Sequence, residues 1–172
     1  MKEVAITGLG GQVFADVLSA LLHRGLSVNA FIKNPEHLML NYENLTISRL
    51  EIDTKDALKD SFEGYHDVIF TFDDDQTDHD ANSFVLDRYD EMVNAAREAG
   101  VNRLVVVGSP QAEAFFVGDL RRRNDIDWVF ISTEGDYATR AADEVIAPHF
   151  HHEVYTCLLY TSPSPRDVEE SR

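Results

Sequence analysis

Between an apolar strand-like run and an amphipathic pattern lies Thr7-Gly8-Leu9-Gly10-Gly11-Gln12-Val13. Glycine turns tightly and has no side chain to keep a ligand off the backbone. A helix starting there aims unpaired N–H groups and the positive end of its dipole at the same point. Together these suit a pyrophosphate, and Thr7, Gly8, Gly10, Gly11, Gln12 and Val13 are the candidate contacts. Glycine spacing alone is a weak signal; its place between strand and helix is what strengthens it. An ordinary glycine-rich turn is the alternative.

Other residues with chemistry follow the later strand-like runs. Ser109 stands just after the fifth. Its hydroxyl could polarise a substrate carbonyl, or simply cap the next helix. Tyr137 and Thr133 follow the sixth, and Tyr137 joins Ser109 as a candidate catalytic residue. Asp53 follows the third run and can also cap a helix; Thr71 and Phe72 end the fourth. All three are candidate cofactor contacts, as is Ser109. Residues 73–80 carry five aspartates, but without the glycine and terminal glutamate of a calcium loop they read as a solvated segment entering a helix. His149, His151, His152 and Glu153 cluster near the end of the chain. A helix could bring His149 and Glu153 onto one face, but Pro148 disturbs it and no third ligand is evident, so no metal is assigned.

These positions require a scaffold. Val4–Thr7, Val28–Ile32, Leu45–Leu50, Asp67–Phe72, Arg103–Gly108 and Asp127–Ser132 read as six strands, the third nearest a sheet edge. Between them, Val13, Phe14, Val17, Leu18, Leu21 and Leu22 form a helical stripe stopped at Gly25. Pro35 opens a short second helix. Leu58 and Phe62 mark a third, ending at Gly64. A longer helix is expected over Ala81–Ala99, and Ser109-Pro110 opens another that ends in Arg121-Arg122-Arg123. The last pattern runs from Asp136 to Glu153, broken or bent at Pro148. Strands apolar on both faces and alternating with helices predict a doubly wound, mostly parallel α/β sheet with helices on both faces. Its ligands would bind beyond the carboxyl ends of the strands.

With this order in place, the chain resembles the NAD(P)-binding, NmrA-like branch of the atypical short-chain dehydrogenase/reductase superfamily. The carriers are TGLGGQVF, IKNPEHL, EIDTKDALKDSFEGYHDVIF, AAREAGVNRLVVVGS and DIDWVFIS. They cover nearly all of residues 1–132. The resemblance implies a Rossmann fold and a nicotinamide dinucleotide. It leaves two function classes open: an NAD(P)H-dependent reductase or epimerase-like enzyme acting on a small acceptor (quinone, flavin or carbonyl), and a non-catalytic dinucleotide sensor. Phe14 stands where the third glycine of the turn would fall, which is expected to crowd or tilt the helix. The superfamily's Tyr-x-x-x-Lys pair is absent, since Ala141 follows Tyr137 at that spacing. Turnover of quinone or flavin acceptors would separate the two classes.

The choice of dinucleotide turns on Lys33. An NAD site places an acid at the end of the second strand for the ribose 2′-OH. Here a lysine stands there, which attracts a 2′-phosphate, so NADP is expected over NAD; a solvated surface lysine is the alternative.

Composition narrows the partners. The 172 residues carry 15 Lys and Arg against 31 Asp and Glu, a net charge of −16. That sign disfavours nucleic acid and anionic membrane surfaces. A small-molecule substrate is expected, and a homo-dimer is an allowed assembly. Cys157, the one cysteine, cannot form an internal disulfide, and no apolar run suits a leader or a membrane span, so a cytoplasmic location is expected. From Cys157 to Asp167 the chain reads CLLYTSPSPRD, which resembles one frame of a sequencing adapter. Residues 1–156 are therefore expected to form one dinucleotide-binding domain, truncated at its C-terminal side, and 157–172 to be read-through.

Overall fold

The computed structural model describes residues 3–8, 11–32, 42–49, 55–72, 90–122, 125–148 and 151–155. Its strands are β1 (Glu3–Gly8), β2 (Ser27–Ile32), β3 (Leu45–Arg49), β4 (Asp67–Thr71), β5 (Arg103–Gly108), β6 (Asp127–Ser132) and β7 (Glu153–Tyr155). They form one sheet in the order β3-β2-β1-β4-β5-β6-β7, with every pair parallel. The helices are α1 (Gly11–His23), α2 (Lys55–Phe62), α3 (described over 90–98), α4 (Pro110–Leu120) and α5 (Tyr137–Ile146). This is the Rossmann order, with one strand added beyond β6.

Alternation along each strand divides the core in two. Val4, Ile6, Ile69, Val105, Val129 and Ile131 face α1 and α5, while Val68, Phe70, Leu104, Val106, Trp128 and Phe130 face α2, α3 and α4. Sheet positions buried on both faces explain why the runs read as continuously apolar. Phe14 belongs to the α1 side of this core. It is buried in the cluster beneath α1, among residues that include Val17 and Leu18. Gly25, Gly64 and Gly100 take positive φ just past α1, α2 and α3, the left-handed stop that their positions predict.

The end of the chain departs from the expectation. The last helix stops at Ile146, so the pattern is broken ahead of Pro148 and does not resume as helix at Glu153. Ala147 is extended and closes the helix by donating its N–H to the Asp143 carbonyl, and Pro148 has no N–H to continue the ladder. His152 then takes a left-handed φ of 57°, its N–H donates to the Trp128 carbonyl at 2.7 Å, and the chain enters β7 as a seventh strand beside β6. Glu153 is thus a strand residue, so the helical pairing with His149 does not form; His149 itself lies outside the described residues.

A buried ion cluster closes the amino-terminal end of the sheet. Arg103 is 2% exposed and Glu144 is fully buried. The Arg103 guanidinium meets Glu144 at 2.7 Å and Asp127 at 2.5 Å, and His151 Nδ1 lies 2.7 Å from the same Asp127 oxygen. The cluster ties β5, β6 and α5 to the segment leading into β7, at the sheet end opposite the glycine turn.

Candidate dinucleotide site

In this strand order the crossovers change direction between β1 and β4, and the two carboxyl ends open a crevice there. The register sets Thr7 beside Phe70 and Gly8 beside Thr71. Across β4, Thr71 stands beside Val107 of β5, and Gly108 beside Ser132 of β6. The structure therefore gathers Thr7, Gly8, Thr71 and Phe72 at one sheet edge, with Ser109 one residue beyond β5.

β1 ends at Gly8 and α1 begins at Gly11, so only two residues connect them. The amino terminus of α1 thus lies immediately beyond the end of β1. No acid occupies its first turn, so no carboxylate within that turn opposes the positive end of its dipole. The apolar seam below α1 holds this terminus in place. Each large aliphatic side chain in such a seam contributes roughly 1.5–3 kcal/mol when fully buried. Gln12 is exposed and Val13 is buried at this end of the helix.

Gly8 is required by proximity. A Cβ there would stand 2.1 Å from Thr71 Oγ1 and 2.9 Å from the Thr71 carbonyl oxygen. Thr71 Oγ1 reaches the Thr7 carbonyl at 3.4 Å, a long contact. Thr7 is fully buried, and its own hydroxyl has no hydrogen-bond partner among the described residues. An orphaned hydroxyl one residue before the turn, together with a helix terminus free of acids, fits a dinucleotide diphosphate. Thr7, Gly8, Gly11, Gln12 and Val13 would hold it.

Phe72 is buried, with its ring 4.6 Å from that of Phe116 on α4, and its N–H donates to the Val107 carbonyl at 2.8 Å. It forms part of the packed wall beneath the crevice. Ser109 is 3% exposed, and its carbonyl accepts the Glu113 N–H at 2.9 Å, which places it at the head of α4. Tyr137 begins α5. Its hydroxyl donates to Asp16 Oδ2 on α1, so its one O–H donor is already engaged. Asp16 was not among the expected site residues. The available signal was its place four residues after Gln12, whose amide donates to Asp16 Oδ1 at 2.6 Å. Lys33, Asp53, Gly10 and the acidic segment 73–80 lie outside the described residues.

The family model described as NAD(P)H-binding matches residues 8–156, and the chain belongs to that family. This agrees with what the glycine turn and the strand motifs imply. Cinnamoyl-CoA reductase 1 of Arabidopsis thaliana is 29% identical over an alignment 127 residues long that covers 63% of this chain and 34% of that protein. The chain thus spans about a third of the length of this relative. Among solved structures, a putative epimerase from Bacteroides thetaiotaomicron is similar with a TM-score of 0.75 at 22% identity, over 90% of this chain and 95% of that one. The triphenylmethane reductase of Citrobacter sp., in complex with NADP(H), has a TM-score of 0.68 at 17% identity, over 89% of this chain and 68% of its own. At these identities the likeness is one of fold. Among the described residues no helix is long and apolar enough to cross a membrane.

Proposed function

We propose that this protein is an NAD(P)H-dependent reductase of a small acceptor, a quinone, flavin or carbonyl compound, with NADP preferred over NAD and a cytoplasmic site of action. The observation that carries the reading is the acid-free amino terminus of α1, set two residues beyond β1 at the crossover between β1 and β4. The cofactor supplies the hydride in such chemistry. The chain's own residues bind and orient: the glycine turn receives the diphosphate, and Lys33 attracts a 2′-phosphate. Ser109, at the end of β5, offers a hydroxyl to an acceptor oxygen. The Citrobacter reductase, solved with NADP(H), supports the choice of cofactor.

A second reading has its own support. The sequence holds no Tyr-x-x-x-Lys pair, and the Tyr137 hydroxyl proton is engaged by Asp16, so Tyr137 is a poor proton donor. That favours a dinucleotide sensor that binds without turnover. The test is NADPH oxidation followed at its nicotinamide absorbance with a quinone, free flavin and an aromatic aldehyde as acceptors. Acceptor-dependent oxidation that falls in Ser109→Ala supports the reductase. Tight NADPH binding with no oxidation by any acceptor supports the sensor.

A further inference from the structure

We infer that Asp16 is a positioning residue that couples the dinucleotide turn to the segment after β6, by holding Gln12 with one carboxylate oxygen and Tyr137 with the other. The inference rests on the dinucleotide reading of the turn.

Asp16 is the only acid on α1 and is half-buried on the side facing α5. Oδ1 accepts the Gln12 amide at 2.6 Å, and Oδ2 accepts the Tyr137 hydroxyl. Gln12 belongs to the first turn of α1. Side chains on a helix lean toward its amino terminus, so a long first-turn side chain left free leans over the anion-binding end. Gln12 is instead drawn back one turn, away from the helix terminus. The other oxygen reaches the first residue of α5, five residues beyond the end of β6. Where the β6–α5 segment sits is thereby linked to how the first turn of α1 presents itself.

The packing of α1 on α5 does not depend on this contact alone. Val17, Leu18 and Leu21 of α1 and Ala141, Ala142 and Val145 of α5 share one apolar cluster. A second polar tie, Arg24 to Asp143 at 2.5 Å, joins the helices at the end away from the crevice. Two ties of similar kind thus stand at opposite ends of one helix pair, and only the Asp16 tie includes a residue of the turn. This contrast separates positioning from general support.

The experiment measures binding of NADPH, NADH and adenosine 2′-monophosphate, which carries no 5′-phosphate to reach the turn, to wild type, Tyr137→Phe, Asp16→Ala, the double variant and Arg24→Gln. Tyr137→Phe keeps the ring and removes only the hydroxyl, so the fold is retained. The expected result is a loss of NADPH affinity of roughly 2- to 30-fold in Tyr137→Phe and in Asp16→Ala, the span of couplings transmitted through a contact network. The double variant loses no more than Asp16→Ala, the 2′-monophosphate binds equally to all, and Arg24→Gln binds NADPH as wild type does. Unchanged NADPH affinity in Tyr137→Phe and Asp16→Ala overturns the inference. So does an equal loss for the 2′-monophosphate, or the same loss in Arg24→Gln. Binding of neither NADPH nor NADH by the wild type instead removes the dinucleotide reading, and the coupling falls with it.

Discussion

Gly8 and Thr71 stand side by side at the carboxyl ends of β1 and β4, so close that a Cβ on Gly8 would lie 2.1 Å from the threonine hydroxyl. The crevice edge is therefore defined by the absence of a side chain on one strand and a short polar one on the other. Their proximity brings Thr7, with its unpartnered buried hydroxyl, to the same edge.

Gly8→Ala is predicted to destabilise the protein by about 1–3 kcal/mol, the scale of inserting a carbon into a packed site. Adding Thr71→Ala removes the hydroxyl conflict but leaves the carbonyl oxygen 2.9 Å from the new Cβ. The double variant should recover part of the loss, and never all of it. Urea midpoints of wild type and both variants check this. A Gly8→Ala midpoint equal to wild type would mean that β1 and β4 separate freely at this edge.

Glu144→Gln is predicted to cost stability without touching dinucleotide affinity. Removing one partner of a buried ion pair costs about 3–5 kcal/mol, because the remaining charge is left uncompensated. Asp127, which stays on the Arg103 guanidinium at 2.5 Å, holds the loss toward the lower end. Chemical denaturation gives the stability and an NADPH titration the affinity. Weakened NADPH binding by the folded variant would show that the two ends of the sheet are coupled.

The scaffold was largely legible in the sequence because its signals are local. Val4 to Val13 carry a buried strand, a glycine turn and the start of a stripe within ten residues, and the structure reproduces that order. The edge position of β3 followed from its alternating pattern, and β3 ends the sheet with none of its residues buried. β7 was not legible: it is only three residues long, Glu-Val-Tyr, and held by its register with β6 and the His152 turn rather than by its own pattern. The Asp16–Tyr137 contact joins residues 121 apart, and no periodicity encodes such a pairing. Arg103 read as the first residue of an apolar strand; its burial depends on Glu144 and Asp127, which only the fold brings to it.

Lys33→Glu is predicted to weaken NADPH by about 1–3 kcal/mol, the scale of losing a charge-assisted contact and gaining repulsion. Lys33 directly follows Ile32, the last residue of β2. NADH, which has no 2′-phosphate, should bind the variant as well as it binds the wild type or better. Parallel titrations at fixed ionic strength read both. An equal loss for the two cofactors would assign Lys33 to the fold, and no change in either would leave the NADP preference without support.

The central claim is that the turn from Gly8 to Gly11 receives the diphosphate of a nicotinamide dinucleotide. Gly11→Val tests it most directly, because a β-branched side chain there would stand where the diphosphate must approach the first turn of α1. The measurement is a calorimetric titration of NADPH and NADH into wild type and into Gly11→Val, with circular dichroism to establish that the variant is folded. The account predicts one-to-one binding by the wild type and no measurable binding by the folded variant. A folded Gly11→Val protein that binds either dinucleotide with wild-type affinity would contradict it.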